Sequence, residues 1–120
     1  MKPLEVKGYV IYDENEQTFC NGGMSGKFSK TPKIYKNIGH IKNHLNQHIS
    51  TVYDGYKNPT RSIILSVSKC YKNRTCNVYD ITTNKIVFSV SDFFKQKLTE
   101  LRDKQITIYR YAPENITINY

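Results

Sequence analysis

Thr31-Pro32-Lys33-Ile34-Tyr35-Lys36-Asn37-Ile38-Gly39-His40-Ile41-Lys42-Asn43-His44-Leu45-Asn46-Gln47-His48-Ile49-Ser50 reads as one amphipathic helix. A threonine hydroxyl can accept a first-turn N–H, and proline at the first helical position gives up only an N–H that would be unpaired there. Ile34, Ile38, Ile41, Leu45 and Ile49 recur at spacings of four, three, four and four, which at about 100° per residue holds them within roughly 80° of arc. That stripe is the expected buried face. Gly39 falls inside it at a cost of about 1 kcal/mol relative to alanine, so a close approach by another element or by a partner is expected at that point.

Upstream, Tyr9-Val10-Ile11-Tyr12 and Gln17-Thr18-Phe19-Cys20 flank the polar Asp13-Glu14-Asn15-Glu16, the pattern of a hairpin with a four-residue loop. The three acids of that loop are expected to be solvated turn residues. From Asn21 to Ser29 the chain is rich in Gly and Ser and reads as a loop. Downstream, a polar connection containing Asn58-Pro59 leads into the strand-like Ser62-Ile63-Ile64-Leu65-Ser66-Val67-Ser68. Cys76–Ile81 and Lys85–Val90 flank Thr82-Thr83-Asn84 as a second hairpin, and Ser91 is placed to cap a helix from Asp92 to about Asp103. Ile106-Thr107-Ile108-Tyr109 and Ile116-Thr117-Ile118-Asn119-Tyr120 alternate with period two, as strands do. The order ββαβββαβ(β) predicts an α+β fold: an antiparallel sheet of about six strands with two helices packed on one face.

The chain has 120 residues, 38% of them hydrophobic, including 10 Tyr and 5 Phe. That suits a single folded domain over 1–120 and excludes a wholly disordered chain. No run approaches the roughly 20 apolar residues of a membrane span, and Met1–Lys7 has no apolar signal region, so neither secretion nor membrane insertion is expected. Cys20, Cys70 and Cys76 match no zinc or redox spacing and are expected as reduced thiols of a cytoplasmic protein. A bridge between Cys70 and Cys76 across a turn stays open as an alternative.

The net charge of +8 is unevenly placed. Lys27, Lys30, Lys33, Lys36, Lys42, Lys57, Arg61, Lys69, Lys72 and Arg74 face Asp54 alone between Gln17 and Tyr79, a surplus of nine, while the rest of the chain holds eight cations and nine acids. A concentrated positive field attracts a polyanion and makes its binding depend on salt. Tyr35, Tyr53, Tyr56 and Tyr71 lie within the same stretch, and interleaved aromatics are what surfaces that stack on bases contain. Lys27, Lys30, Lys33, Tyr35, Lys36, Lys42, Tyr56, Lys57, Arg61, Lys72 and Arg74 are therefore the candidate binding residues, with Tyr35 and Tyr56 as stacking groups.

Catalytic motifs are missing from the sequence. Gly22-Gly23-Met24-Ser25-Gly26-Lys27 lacks the spacing of a nucleotide cradle, and Glu5-Val6-Lys7 is a three-residue match to some nucleases that chance supplies freely. His40, His44 and His48 stand one helical turn apart, a spacing that can chelate a metal. Measured from the centre of the apolar stripe they sit at roughly 140°, 100° and 60°, drifting from solvent to the edge of the core, so a polar helix surface is expected and the metal site is the weaker candidate. No cofactor and no catalytic residue are expected.

The segment Lys33-Ile34-Tyr35-Lys36-Asn37-Ile38-Gly39-His40-Ile41-Lys42-Asn43-His44-Leu45, preceded by a hairpin and a glycine loop, resembles small accessory proteins of tailed bacteriophages. The likeness spans about residues 8 to 49, with Lys33, Tyr35, Lys36, Gly39, Lys42 and Leu45 as its anchors. It implies a class of early-expressed proteins that bind, redirect or inhibit host transcription, nuclease or defence machinery in the bacterial cytoplasm. No catalytic residue carries over with it. The expected function is non-enzymatic binding of nucleic acid or of a host protein that handles it. The alternatives are a small metal-dependent enzyme using the histidine row and a minor virion or assembly component.

Overall fold

Asp13 turns the first hairpin. In the computed structural model, which describes residues 7–54, 62–108 and 115–119, β1 (Tyr9–Asp13) pairs antiparallel with β2 (Thr18–Cys20). The Asp13 carboxylate accepts the Asn15 N–H at 3.0 Å while its carbonyl accepts the Gln17 N–H at 2.8 Å. Asp80 repeats the device in the second hairpin, accepting from Thr82 N–H and, through its carbonyl, from Asn84 N–H, both at 2.8 Å. Each turn closes on a left-handed residue, Gln17 at φ 55° and Asn84 at φ 56°. Asparagine adopts that region at lower cost than glutamine, so Gln17→Gly is expected to stabilise the protein by about 0.5–1 kcal/mol, read from the urea midpoint.

The acids of the first turn are not simply solvated, contrary to expectation. Asp13 is only 1% exposed and carries an ion pair to Arg74 at 2.9 Å, and Glu14 accepts hydrogen bonds from Asn77 Nδ2 and the Tyr79 hydroxyl. A carboxylate can be buried when a cation and backbone N–H groups replace its water.

The fold is α+β. Its strands form two sheets rather than one. β3 (Phe28–Ser29), β2, β1, β6 (Cys76–Asp80) and β7 (Lys85–Ser89) make a five-stranded antiparallel sheet in that order, with Ile11 opposite Val78 at its centre. A second sheet has the order β4 (Ile49–Asp54), β5 (Ser62–Val67), β8 (Asn115–Asn119), in which β5 and β8 run parallel. α1 (Ile38–Gln47) and α2 (Val90–Ile108) complete the architecture. Ile11, Ile41, Leu45, Leu65, Val78 and Leu98 are fully buried in one contiguous cluster that both sheets and both helices share.

α1 begins at Ile38, not at Thr31. The segment before it is extended because its backbone groups have sheet partners: Lys33 N–H donates to Cys20 carbonyl at 3.0 Å, and Tyr35 and Tyr9 exchange both their hydrogen bonds at 2.8 and 2.9 Å. Asn37 is the cap, its Oδ1 accepting from His40 N–H at 2.9 Å. Gly39 thus lies in the first turn, where an added Cβ would stand 3.2 Å from that same Oδ1. Of the expected apolar stripe Ile41 and Leu45 are buried, Ile38 is half-buried and Ile34 is exposed. The helix ends before Ser50, since His48 caps it and Ile49 opens β4.

α2 runs past Asp103 to Ile108, so Ile106-Thr107-Ile108 is helical and not a strand. Extending an established helix adds one hydrogen bond per residue fixed, which outweighs the few tenths of a kcal/mol that β-branching costs. Its cap is Ser89, whose Oγ accepts from Asp92 N–H, rather than Ser91. The last expected strand stands at Asn115–Asn119. Tyr109 and Tyr120 lie outside the described residues.

Candidate functional site

The glycine loop is folded onto the turn that follows β5. Asn21 N–H donates to Lys27 carbonyl at 2.9 Å and closes the loop. Gly26, at φ 66°, lies so close to Cys70 that a Cβ on it would stand 2.2 Å from the cysteine Cβ. Only glycine accommodates both the left-handed backbone and that approach. Lys27 is next to Gly26 in the chain, and Lys69 and Lys72 flank Cys70, so one contact joins a basic loop to a basic turn. All three lysines are exposed.

Arg74 clamps the same junction. Its guanidinium lies 3.9 Å from the centroid of the Phe28 ring, its Nε donates to Cys70 carbonyl at 2.8 Å, and its Nη1 reaches Asp13 at 2.9 Å and Glu16 at 3.3 Å. Two carboxylates and a ring already occupy this cation. Any contact it makes with a partner, as expected from the sequence, would compete with these.

Lys30, Lys33 and Lys36 are exposed along the extended segment before α1. Lys42 is elsewhere, in a groove between α1 and α2 with Phe93, Gln96, Lys97 and Glu100. Tyr35 is 7% exposed with its ring 5.8 Å from that of His44, so it is not free to stack on a base. Burial, and then Cys20, push its hydroxyl up to about 12. Tyr56, Lys57 and Arg61 lie outside the described residues.

Beneath the junction the histidine row enters the core. His40 stays exposed beside Asn37, but His44 and His48 are 6% and 2% exposed with ring centroids 4.7 Å apart. The expected polar surface is corrected for these two, and the drift of the row toward the apolar stripe is what carries them inward. His44 Nε2 lies 2.6 Å from the Tyr71 hydroxyl, which is itself 3.3 Å from Cys20 Sγ. Burial, reinforced by His48, lowers the His44 pKa to about 4. Burial and then Cys20 raise the Tyr71 hydroxyl far above the usual phenol range. The Tyr71 ring meets His48, His44, Phe94 and Phe28 edge-on, making it the hub of the cluster.

His48 has a second set of partners. The antiparallel register that sets Ile49 opposite Val67 continues one step, with Ser68 N–H donating to His48 carbonyl at 2.8 Å. Ser68 Oγ is thereby held 2.7 Å from His48 Nδ1, and Cys70 Sγ lies 3.1 Å from the same nitrogen and 2.8 Å from Ser68 Oγ. On the other side of the ring Nε2 stands 3.2 Å from Gly23 carbonyl. A carbonyl only accepts, so Nε2 carries the proton and Nδ1 offers its lone pair to the hydroxyl and the thiol.

Among the described residues no three His, Cys, Asp or Glu side chains are grouped to hold a metal ion. Cys20, Cys70 and Cys76 are free thiols. Ser68, Cys70 and Tyr71 were not expected as partners of the histidines, because only the pairing of β4 with β5 brings them there, and Cys20 reaches His44 from β2 of the other sheet. Comparison with known protein families, with curated proteins and with solved structures finds no match to this chain. Among the described residues no helix is long and apolar enough to cross a membrane.

Proposed function

We propose that this chain is a small non-enzymatic binding protein whose basic junction grips the phosphate backbone of a nucleic acid. Lys27, Lys69 and Lys72 supply its centre, and Lys30, Lys33 and Lys36 extend it. The observation that carries the reading is the packing of Gly26 on Cys70, which turns two basic segments far apart in sequence into neighbours. Tyr35 and Tyr71 are spent in the core, so among the described residues of this surface recognition rests on charge and is tolerant of sequence. On the phage resemblance, the setting is the bacterial cytoplasm, and the consequence of binding is interference with host transcription, nuclease or defence machinery.

Fluorescence anisotropy with labelled duplex and single strands tests it. The affinity is expected to drop about a hundredfold between about 50 and 200 mM salt, as for roughly four phosphate contacts. Replacing Lys27, Lys69 and Lys72 together by Glu is expected to weaken binding by about tenfold or more with little change in stability, since exposed positions tolerate such changes. Binding that ignores salt, or none at low salt, removes the proposal.

A second reading has its own observation. Met24 is 61% exposed at the tip of the glycine loop, an apolar anchor beside cations that suits an acidic patch on a protein partner. Capture of such a partner from nuclease-treated lysate, lost in Met24→Ser, favours that reading over nucleic acid.

A further inference from the structure

Cys70 differs from the other two cysteines. Cys20 and Cys76 are each 2% exposed, whereas Cys70 is half-buried at the junction of loop and turn. It faces a base oriented by a third group: Gly23 carbonyl fixes the proton on His48 Nε2, and Nδ1 is left 3.1 Å from Cys70 Sγ. Nucleophile, base and orienting group within hydrogen-bond reach form the arrangement that activates a thiol. Ser68 Oγ, 2.8 Å from the sulfur and 2.7 Å from the nitrogen, adds a second path for the same proton.

We propose that Cys70 is a thiol-exchange site for anionic disulfides, with His48 as its base and Lys27, Lys69 and Lys72 as the groups that select negative charge. The Cys70 proton passes from Sγ to His48 Nδ1, directly or through the Ser68 hydroxyl. The thiolate attacks one sulfur of the disulfide; a new S–S bond forms as the old one breaks. Cys70 is oxidised to a mixed disulfide, one half of the reagent is reduced, and the departing thiolate takes the proton back from Nδ1. The disulfide is the oxidant, and no other co-reactant enters. Its carboxylates are the complement of the three flanking lysines, none of which is ion-paired among the described residues.

The test is made on the reduced full chain at pH 7, with three aliphatic disulfides: dithiodiglycolate, which is anionic, bis(2-hydroxyethyl) disulfide, which is neutral, and cystamine, which is cationic. Peptide mapping by mass spectrometry follows each cysteine. Cys70 is expected to take up dithiodiglycolate about tenfold or more faster than Cys20 or Cys76, which serve as references in the same molecule. Its preference for the anion over the cation is expected to exceed that of a free cysteine peptide by about tenfold and to shrink toward it in about 1 M salt.

Lys69→Glu with Lys72→Glu, both exposed, is expected to reverse that preference without disturbing the fold. His48→Gln is expected to slow Cys70 at pH 7 and to lose that deficit above about pH 8.5, where an ordinary thiol ionises without help. A Cys70 that stays unmodified until the protein is unfolded, or one that reacts with no more charge preference than the free peptide, overturns the proposal. The lysine variant keeps the test decisive even if His48→Gln does not fold.

Discussion

Acid is expected to remove about 2.5 kcal/mol of stability between pH 7.5 and pH 4.5 through His44 alone, as the linkage between protonation and folding requires. The unfolded histidine titrates near 6.5, and burial with the neighbouring His48 lowers the folded value to about 4. Below 6.5 the unfolded chain therefore binds a proton that the folded chain refuses. The stability that neutral His44 contributes is fully present above 6.5 and is lost as pH falls through the window toward about 4. Urea unfolding at half-unit pH steps measures it. His44→Gln is expected to start lower at pH 7.5 and to lose about 2.5 kcal/mol less across the window. An unchanged slope in that variant would mean that the acid sensitivity resides elsewhere in the molecule.

Arg74→Ala is expected to cost about 3–5 kcal/mol, because it leaves the Asp13 carboxylate charged, 1% exposed and without its cation. The loss is compounded by the missing contact with Phe28 and the missing donor to Cys70 carbonyl. Arg74→Lys restores charge but not the fork that reaches Asp13, Glu16 and the Cys70 carbonyl together, so about half of the loss is expected to persist. Asp13→Asn in the Arg74→Ala background neutralises the orphaned acid while keeping an oxygen for Asn15 N–H. It is expected to recover about 1–2 kcal/mol, and a double-mutant cycle in chemical denaturation reads that coupling. If the two substitutions simply add, the ion pair is not what holds this corner.

Local chemistry made much of the fold readable. Both hairpins follow from β-prone runs on either side of a short polar turn, and β5 from its apolar run Ile63-Ile64-Leu65 with Val67 beyond it. The α+β class follows from their order. What misled was ambiguity rather than silence. Ile49 continues the helical spacing from Leu45, yet it also opens the alternation Ile49-Ser50-Thr51-Val52-Tyr53, and the pairing with β5 decides for the strand. Thr31-Pro32 is a sound helix start locally, but Tyr9 and Cys20 supply partners for the residues after it, and Asn37 caps the helix further along the chain.

The site was legible only in part. The drift of His40, His44 and His48 toward the apolar stripe correctly orders their burial, because helical geometry alone sets it. Tyr71, Ser68 and Cys70 could not be read as their partners, since those contacts depend on sheet register between segments distant in the chain. The charge surplus was visible as a number, while its division into exposed lysines and a committed Arg74 needed the packing of Phe28 and the burial of Asp13.

The parallel pairing of β8 with β5 bears on how the protein is made. Ser62 pairs with Asn115 and Ser66 with Asn119, and β6, β7 and α2 all lie between them in the chain. The β4–β5 hairpin can form as soon as it leaves the ribosome, but its outer edge stays open until the whole second half has been synthesised. Closing so long a loop is slow relative to local hairpin formation. During synthesis β5 is thus an uncapped strand offering backbone hydrogen bonds, and a nascent chain stalled before β8 has the means to pair with its neighbours instead.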